Sequence, residues 1–154
     1  MSIPKSVVKV KKNGVEYTSN VDKCQYYMFE LARAALRDAA KFCVKRFREN
    51  YYSVFKRHTG DAGRATKYKV YSNKNTKYPR VEIGLKNGPV PGFYAYFQEV
   101  GSSKQPKLGL LTKTVQSNIA EIIKIESQYL SALEDEARVQ QLISEKEYEG
   151  DADG

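Results

Sequence analysis

Few side chains in this 154-residue chain have the chemistry for catalysis, and they are scattered. His58 is the single histidine, and no Ser, Cys or carboxylate stands near it at a spacing that would make it a general base. Cys24 and Cys43 fall on one expected helix, about 28 Å apart along its axis, too far to bridge each other. Both read as reduced, buried small hydrophobes. No Cys/His metal spacing, phosphate loop or dinucleotide fingerprint occurs. Asp61-Ala62-Gly63 is too short for a calcium loop, and Glu134-Asp135-Glu136 reads as a solvated helix face. The expectation is a protein with no catalytic residue, no cofactor and no metal. One carboxylate stands out. Glu99 follows four aromatics, Phe93, Tyr94, Tyr96 and Phe97, and precedes Gly101. Burial there without a donor would cost several kcal/mol. Glu99 therefore requires a partner, either within the subunit as a cap or loop brace, or on a neighbouring molecule.

Cations are the other abundant chemistry. Net charge is +8, unevenly spread: residues 1–80 hold 19 Lys/Arg against 6 Asp/Glu, and residues 81–154 hold 7 against 12. Such asymmetry fits nucleic-acid binding by the first half, self-association of basic with acidic halves, or two solvated faces. Arg33, Arg37, Lys41 and Lys45 recur every four residues and form an expected ridge opposite an apolar face. Like charges at that spacing repel by a few tenths of a kcal/mol each. The ridge suits a phosphate backbone or an acidic partner, and equally an ordinary solvated helix.

The elements that must position these residues follow from periodicity. Residues 1–20 are polar and lysine-rich, and form either a hairpin turning at Asn13-Gly14 or a flexible arm. They contain no apolar core segment of a secretory signal, so cytosolic synthesis is expected. Ser19 or Asn20 caps a long helix running to about residue 57, with Val21, Cys24, Met28, Leu31, Ala35, Ala39, Phe42, Tyr51 and Val54 inward and a break conceivable at Glu49-Asn50. Tyr68 and Val70, then Val81, Ile83 and Leu85, alternate as two antiparallel strands joined by the basic loop Asn73, Lys74, Asn75, Thr76 and Lys77. Phe93, Tyr96, Phe97 and Val100 then fall at helical spacing and read as core, with Gly101 ending the helix; a buried strand is the competing reading. Residues 102–109 read as a polar, mobile loop. Thr112 or Thr114 caps a second long helix reaching about residue 146, its inward face running from Val115 and Ile119 through Ile122, Ile125, Tyr129, Leu133 and Val139 to Ile143. Residues 147–154 form a disordered acidic tail. The fold expected is one α+β domain over residues 1–146, two long helices packed on a small antiparallel β-sheet. No apolar run approaches the ~20 residues of a membrane span.

Tyr94, Ala95, Glu99, Val100, Gly101, Ser102 and Lys104, followed by Pro106, Leu108, Leu110 and Leu111, carry a resemblance. They resemble the signature of a family of small head–tail joining and tail-completion (neck) proteins of long-tailed double-stranded DNA phages. The order of elements is similar too, over residues 22–133. Val100 stands where the family usually has an aromatic, Ser102 where it has Thr, and Lys107-Leu108-Gly109 interrupts an expected Pro-Phe-Leu. The resemblance implies a structural virion protein at the head–tail junction or tail end. Copies would close into a ring of six against connector or tail-tube proteins, with DNA passing through and making at most non-specific contact. It implies that Tyr94, Tyr96, Glu99, Gly101, Ser102, Lys104 and the loop Asn73, Lys74 and Asn75 serve assembly. The alternative, from a different functional class, is a non-specific nucleic-acid-binding protein.

Overall fold

The computed structural model describes residues 3–56, 59–72, 78–86 and 91–148. The fold is α+β, with one long helix and small antiparallel hairpins. His58 and the loop Asn73, Lys74 and Asn75 lie outside the described residues.

Strands β1 (Val7–Lys12) and β2 (Val15–Ser19) pair antiparallel, with a bulge between Val8 and Val10. The hairpin rather than the arm is therefore found. Asn13 and Gly14 both take positive φ, 52° and 79°, the geometry a two-residue turn between twisted strands demands. Helix α1 (Val21–Val54) follows without a break at Glu49-Asn50. Asn20 is its N-cap residue, yet the Asn20 side chain accepts the Ser6 hydroxyl instead of capping a helix N–H. The buried stripe of α1 keeps Leu31, Ala35, Ala39 and Tyr51 of the expected one and departs from it at the ends and edges. Val21, Cys24, Met28 and Val54 are exposed, whereas Tyr27, Ala34, Ala40, Cys43, Val44 and Phe47 are buried. Alanines permit close helix approach, so packing widened the stripe to take in Ala34 and Ala40 and left Val21, Cys24, Met28 and Val54 outside. Cys43 is buried as expected and its thiol is pushed up by burial; Cys24 is not buried, and both thiols are free.

Along α1 sit two separate cores. Its first half packs Tyr27, Leu31, Ala34 and Ala35 against Tyr129, Ala132, Val139 and Ile143. Its second half packs Phe47 and Tyr51 against Ala62, Ala95 and Leu111, with Ile83 and Leu85 at the margin. The second core is built by helix α2 (Asp61–Ala65), the hairpin of β3 (Thr66–Tyr71) and β4 (Arg80–Leu85), and helices α3 (Tyr94–Val100) and α4 (Leu110–Ser117). The β3–β4 register pairs Tyr68 with Ile83 and Val70 with Val81, as their alternation required.

The expected second long helix is cut into pieces. Helices α4 and α5 (Ile119–Leu130) meet at Asn118, whose side-chain amide donates to the Thr114 carbonyl at 2.8 Å. A 3-10 turn (Ser131–Glu134) precedes helix α6 (Glu136–Tyr148), which passes the expected boundary at residue 146. Asp135 is a cap rather than part of a solvated face: its Oδ1 accepts the Ala137 N–H at 2.9 Å.

Glu136 ties α6 back to α1. It pairs with Lys23 and accepts the Tyr27 hydroxyl at 3.0 Å. Hydrogen bonding to Lys23, then to Tyr27, holds the Glu136 carboxyl below the ordinary 4.5, and the same contact holds Lys23 above 10.5. A depressed carboxylate stabilises the fold above its unfolded value and loses that contribution as pH falls through the folded one. Glu136→Gln should therefore lower Tm at neutral pH. The gap to wild type should close below pH 4.5, read from melting curves of both proteins across the acid range.

Candidate functional site

Helix α3 holds the aromatic segment, and it does not form core. Ala95 is its buried residue, while Phe93 ahead of the helix and Tyr94, Phe97 and Val100 within it are 38–52% exposed. Tyr96 is half-buried. The expectation of an inward aromatic stripe is thus corrected: a seven-residue helix packed beside α2 and α4 has one narrow inner side, and Ala95 fills it. Phe93 and Phe97 meet edge to face at 6.1 Å between centroids, as do Tyr96 and Phe97 at 5.6 Å. The rings form one continuous surface.

Both flanks of this helix are fixed. At its start Gly92 is buried with φ +85°, and a Cβ there would stand 2.3 Å from the Asp61 carbonyl oxygen. At its end Gly101 has φ +90° and donates to the Phe97 carbonyl at 2.7 Å, so a glycine does terminate the helix. Tyr51 donates to Gln98 Oε1 at 2.6 Å from below. Burial pushes the Tyr51 phenol up to about 12, so it remains the donor at any ordinary pH.

Glu99 finds its partners inside the subunit. Its Oε2 accepts the Leu111 N–H at 2.7 Å, and its Oε1 accepts the Thr112 N–H at 3.0 Å and the Thr112 hydroxyl at 2.8 Å. These are orphan donors of the first turn of α4, where a negative charge also meets the positive end of the helix dipole. Gly109 is the N-cap residue of α4 and has no side chain to do this. Thr112 and Thr114 are not the caps expected. Thr114 is buried, donates to the Leu110 carbonyl at 2.7 Å and accepts Asn50 Nδ2 at 3.0 Å. Between α3 and α4, residues 101–109 are tied rather than loose. Ser102 and Gln105 exchange backbone hydrogen bonds, the Ser102 hydroxyl accepts the Lys104 and Gln105 N–H groups, and the Leu108 N–H reaches the Gln98 carbonyl at 2.9 Å. Lys104 stands exposed at the tip.

Beside α3 opens a cleft of about 250 Å³ walled by Tyr51, Tyr52, Phe55 and Tyr94, with Gln98 and Lys56 at its polar side. A second apolar strip lies on α5, where Ile119, Ile123 and Leu130 are more than half exposed. Ile119 was expected to face inward; the break at Asn118 turns it out.

The basic ridge does not exist as four exposed cations. Arg37 is buried, and Arg33 is half-buried and ion-paired with Glu30 at 3.5 Å. Arg37 falls on the alanine-rich side that packing buried. Lys41 and Lys45 are exposed, and the fold brings them together with Arg48 of α1 and Lys67 of β3 around a cleft of about 260 Å³. Arg48 and Lys67 were missed by sequence reading because their proximity depends on the packing of β3 against α1.

Among the described residues no group of three or more His, Cys, Asp or Glu side chains is placed to hold a metal ion, and no helix is long and apolar enough to cross a membrane. Comparison with protein-family models, curated proteins and solved structures finds no match to the chain.

Proposed function

We propose that this chain is a structural subunit of a phage head–tail junction or tail end, closing into a ring that joins or completes the tail. The observation that carries the reading is the exposed aromatic surface of α3, held in place by Gly92, Gln98, Glu99 and Gly101. Large exposed rings on a rigid support are what a contact surface needs, because little conformational entropy remains to be lost on docking. The resemblance of this same segment to the head–tail joining family supports the location, and in that family the ring has six members. A closed ring requires two different faces per subunit. The α3 surface, with the aromatic cleft beside it, serves as one; the strip of Ile119, Ile123 and Leu130 on α5 serves as the other. Tyr94, Tyr96 and Lys104 then contact the neighbour. Glu99, Gly101 and Ser102 act through the shape of α3 and its following turn.

The test is a double substitution, Phe93→Ser with Phe97→Ser, at two exposed positions. The expected result is a variant with the melting temperature of the wild type that stays monomeric in light scattering, where the wild type forms rings visible by negative stain. In a phage lysate the same variant should yield separate heads and tails. A wild-type protein that stays monomeric at high concentration, together with a variant that still joins heads to tails, overturns the reading.

A further inference from the structure

We infer that the cleft between α1 and β3 is a binding site for the phosphate backbone of nucleic acid. Lys41, Lys45 and Arg48 reach it from successive turns of α1, and Lys67 closes it from β3. Among the described residues the remaining walls are Val44, Thr66 and Tyr68, none of them a carboxylate. Lys45, Arg48 and Lys67 converge with Lys41 on a space of about 260 Å³, and an anion seated there would meet positive charge from both α1 and β3. Arg48 is not a loose side chain. Its Nε donates to the Gly63 carbonyl at 3.0 Å and its guanidinium reaches the Thr66 carbonyl at 3.5 Å. The planar fork is thereby oriented before a ligand arrives, which suits phosphate geometry.

The charge continues beyond the cleft. Lys69 lies two residues along β3 from Lys67, on the same side of the strand and about 7 Å away. Tyr71, the next on that side, pairs in register with Arg80, and its ring carries Lys69 Nζ at 5.1 Å and the Arg80 guanidinium at 4.8 Å from the centroid. Glu82 is the acid on this face; it accepts the Tyr71 hydroxyl and pairs with Arg80. The cations thus form a track from α1 across the hairpin, matched to an anion that repeats along a line. The acidic segment of a second copy fits less well. Asp135 is consumed in capping α6, and Glu136 in its contact with Lys23 and Tyr27. The site uses none of the α3 or α5 residues, so it stands apart from ring formation.

The experiment measures binding of the full chain to a fluorescent duplex of arbitrary sequence from 50 to 200 mM salt, in wild type and in the monomeric Phe93→Ser/Phe97→Ser variant. Four phosphate contacts predict a log–log salt slope of about −3.6, indifferent to sequence. Lys45→Gln with Lys67→Gln should weaken binding at least tenfold and flatten the slope by about 1.8, and Lys45→Gln alone by about 0.9. Lys113→Gln with Lys124→Gln removes equal charge from α4 and α5 and should change far less. No wild-type binding at 50 mM salt, or an equal loss in both double variants, overturns the proposal. So does a Lys45→Gln/Lys67→Gln protein that keeps its affinity for DNA but no longer self-associates; the cleft would then seat carboxylates of a second copy.

Discussion

Gly92→Ala should unfold the second core. A Cβ on this residue would lie 2.3 Å from the Asp61 carbonyl oxygen, 2.5 Å from its carbon and 2.9 Å from the Ala62 nitrogen. All three are backbone atoms, so no side chain can swing away. The φ of +85° adds about 1–2 kcal/mol for any residue with a Cβ. The combined loss is expected to exceed about 4 kcal/mol, at the far end of what single substitutions do. Urea titration reads this directly, with Gly84→Ala as the comparison, since a Cβ at Gly84 meets nothing within 4 Å. A Gly92→Ala protein within 1 kcal/mol of wild type would show that α2 and α3 do not touch there.

Glu99→Ala is expected to cost about 2–3 kcal/mol, and Glu99→Gln about 1.5–2 kcal/mol. Alanine strands two backbone N–H donors and one hydroxyl at the start of α4. Glutamine restores one acceptor but turns an amide donor toward a second N–H and removes the charge that faces the helix dipole. The loss should appear in thermal melting of the isolated protein. Were Glu99 an intermolecular contact instead, both variants would melt as wild type and fail only in ring formation. A stability unchanged by either substitution therefore rules out the capping role. Because the cap spans from α3 to α4, the variants should also free the 101–109 turn and weaken assembly indirectly, less than the paired Phe93 and Phe97 substitutions do.

What the residues disclosed in advance was local. The start of α1, the Asn13-Gly14 turn, the alternation that sets Tyr68 opposite Ile83, and Gly101 as the end of a helix all rest on neighbours within a few positions. The need of Glu99 for a donor was also legible, since an aromatic neighbourhood makes an unpaired carboxylate expensive. Which donor was not, because the cap reaches forward twelve and thirteen residues to a helix whose own N-cap position is a glycine. The inward stripe of α1 was misplaced in part for a related reason. Ala35 and Ala39 were placed correctly; hydropathy also favours Met28 and Val21, but packing buries Ala34 and Ala40 instead, a preference of shape that no single helix reveals. The aromatic run misled in the same way. Its hydrophobicity reads as core, and only the seven-residue length of α3, with Ala95 already filling the space against α1, leaves the rings outside. The cation cleft was half visible: Lys41 and Lys45 stood out by spacing, while Arg48 and Lys67 join them through tertiary packing.

The two cores strung along α1 divide the molecule into two units on one spine. The two clusters share no residue, so the backbone amides are expected to divide into two sets with different free energies of exchange, which native-state hydrogen exchange reads. The proposed docking face of α3 lies with the second core, and the cation cleft lies where β3 meets α1. The first core includes Tyr129 of α5, so α6, held to α1 through Glu136, shares its core with the second proposed docking face. A subunit built in this way sets its two proposed contact faces on separate cores joined by a single helix, so the stiffness of α1 fixes the angle between one neighbour and the next.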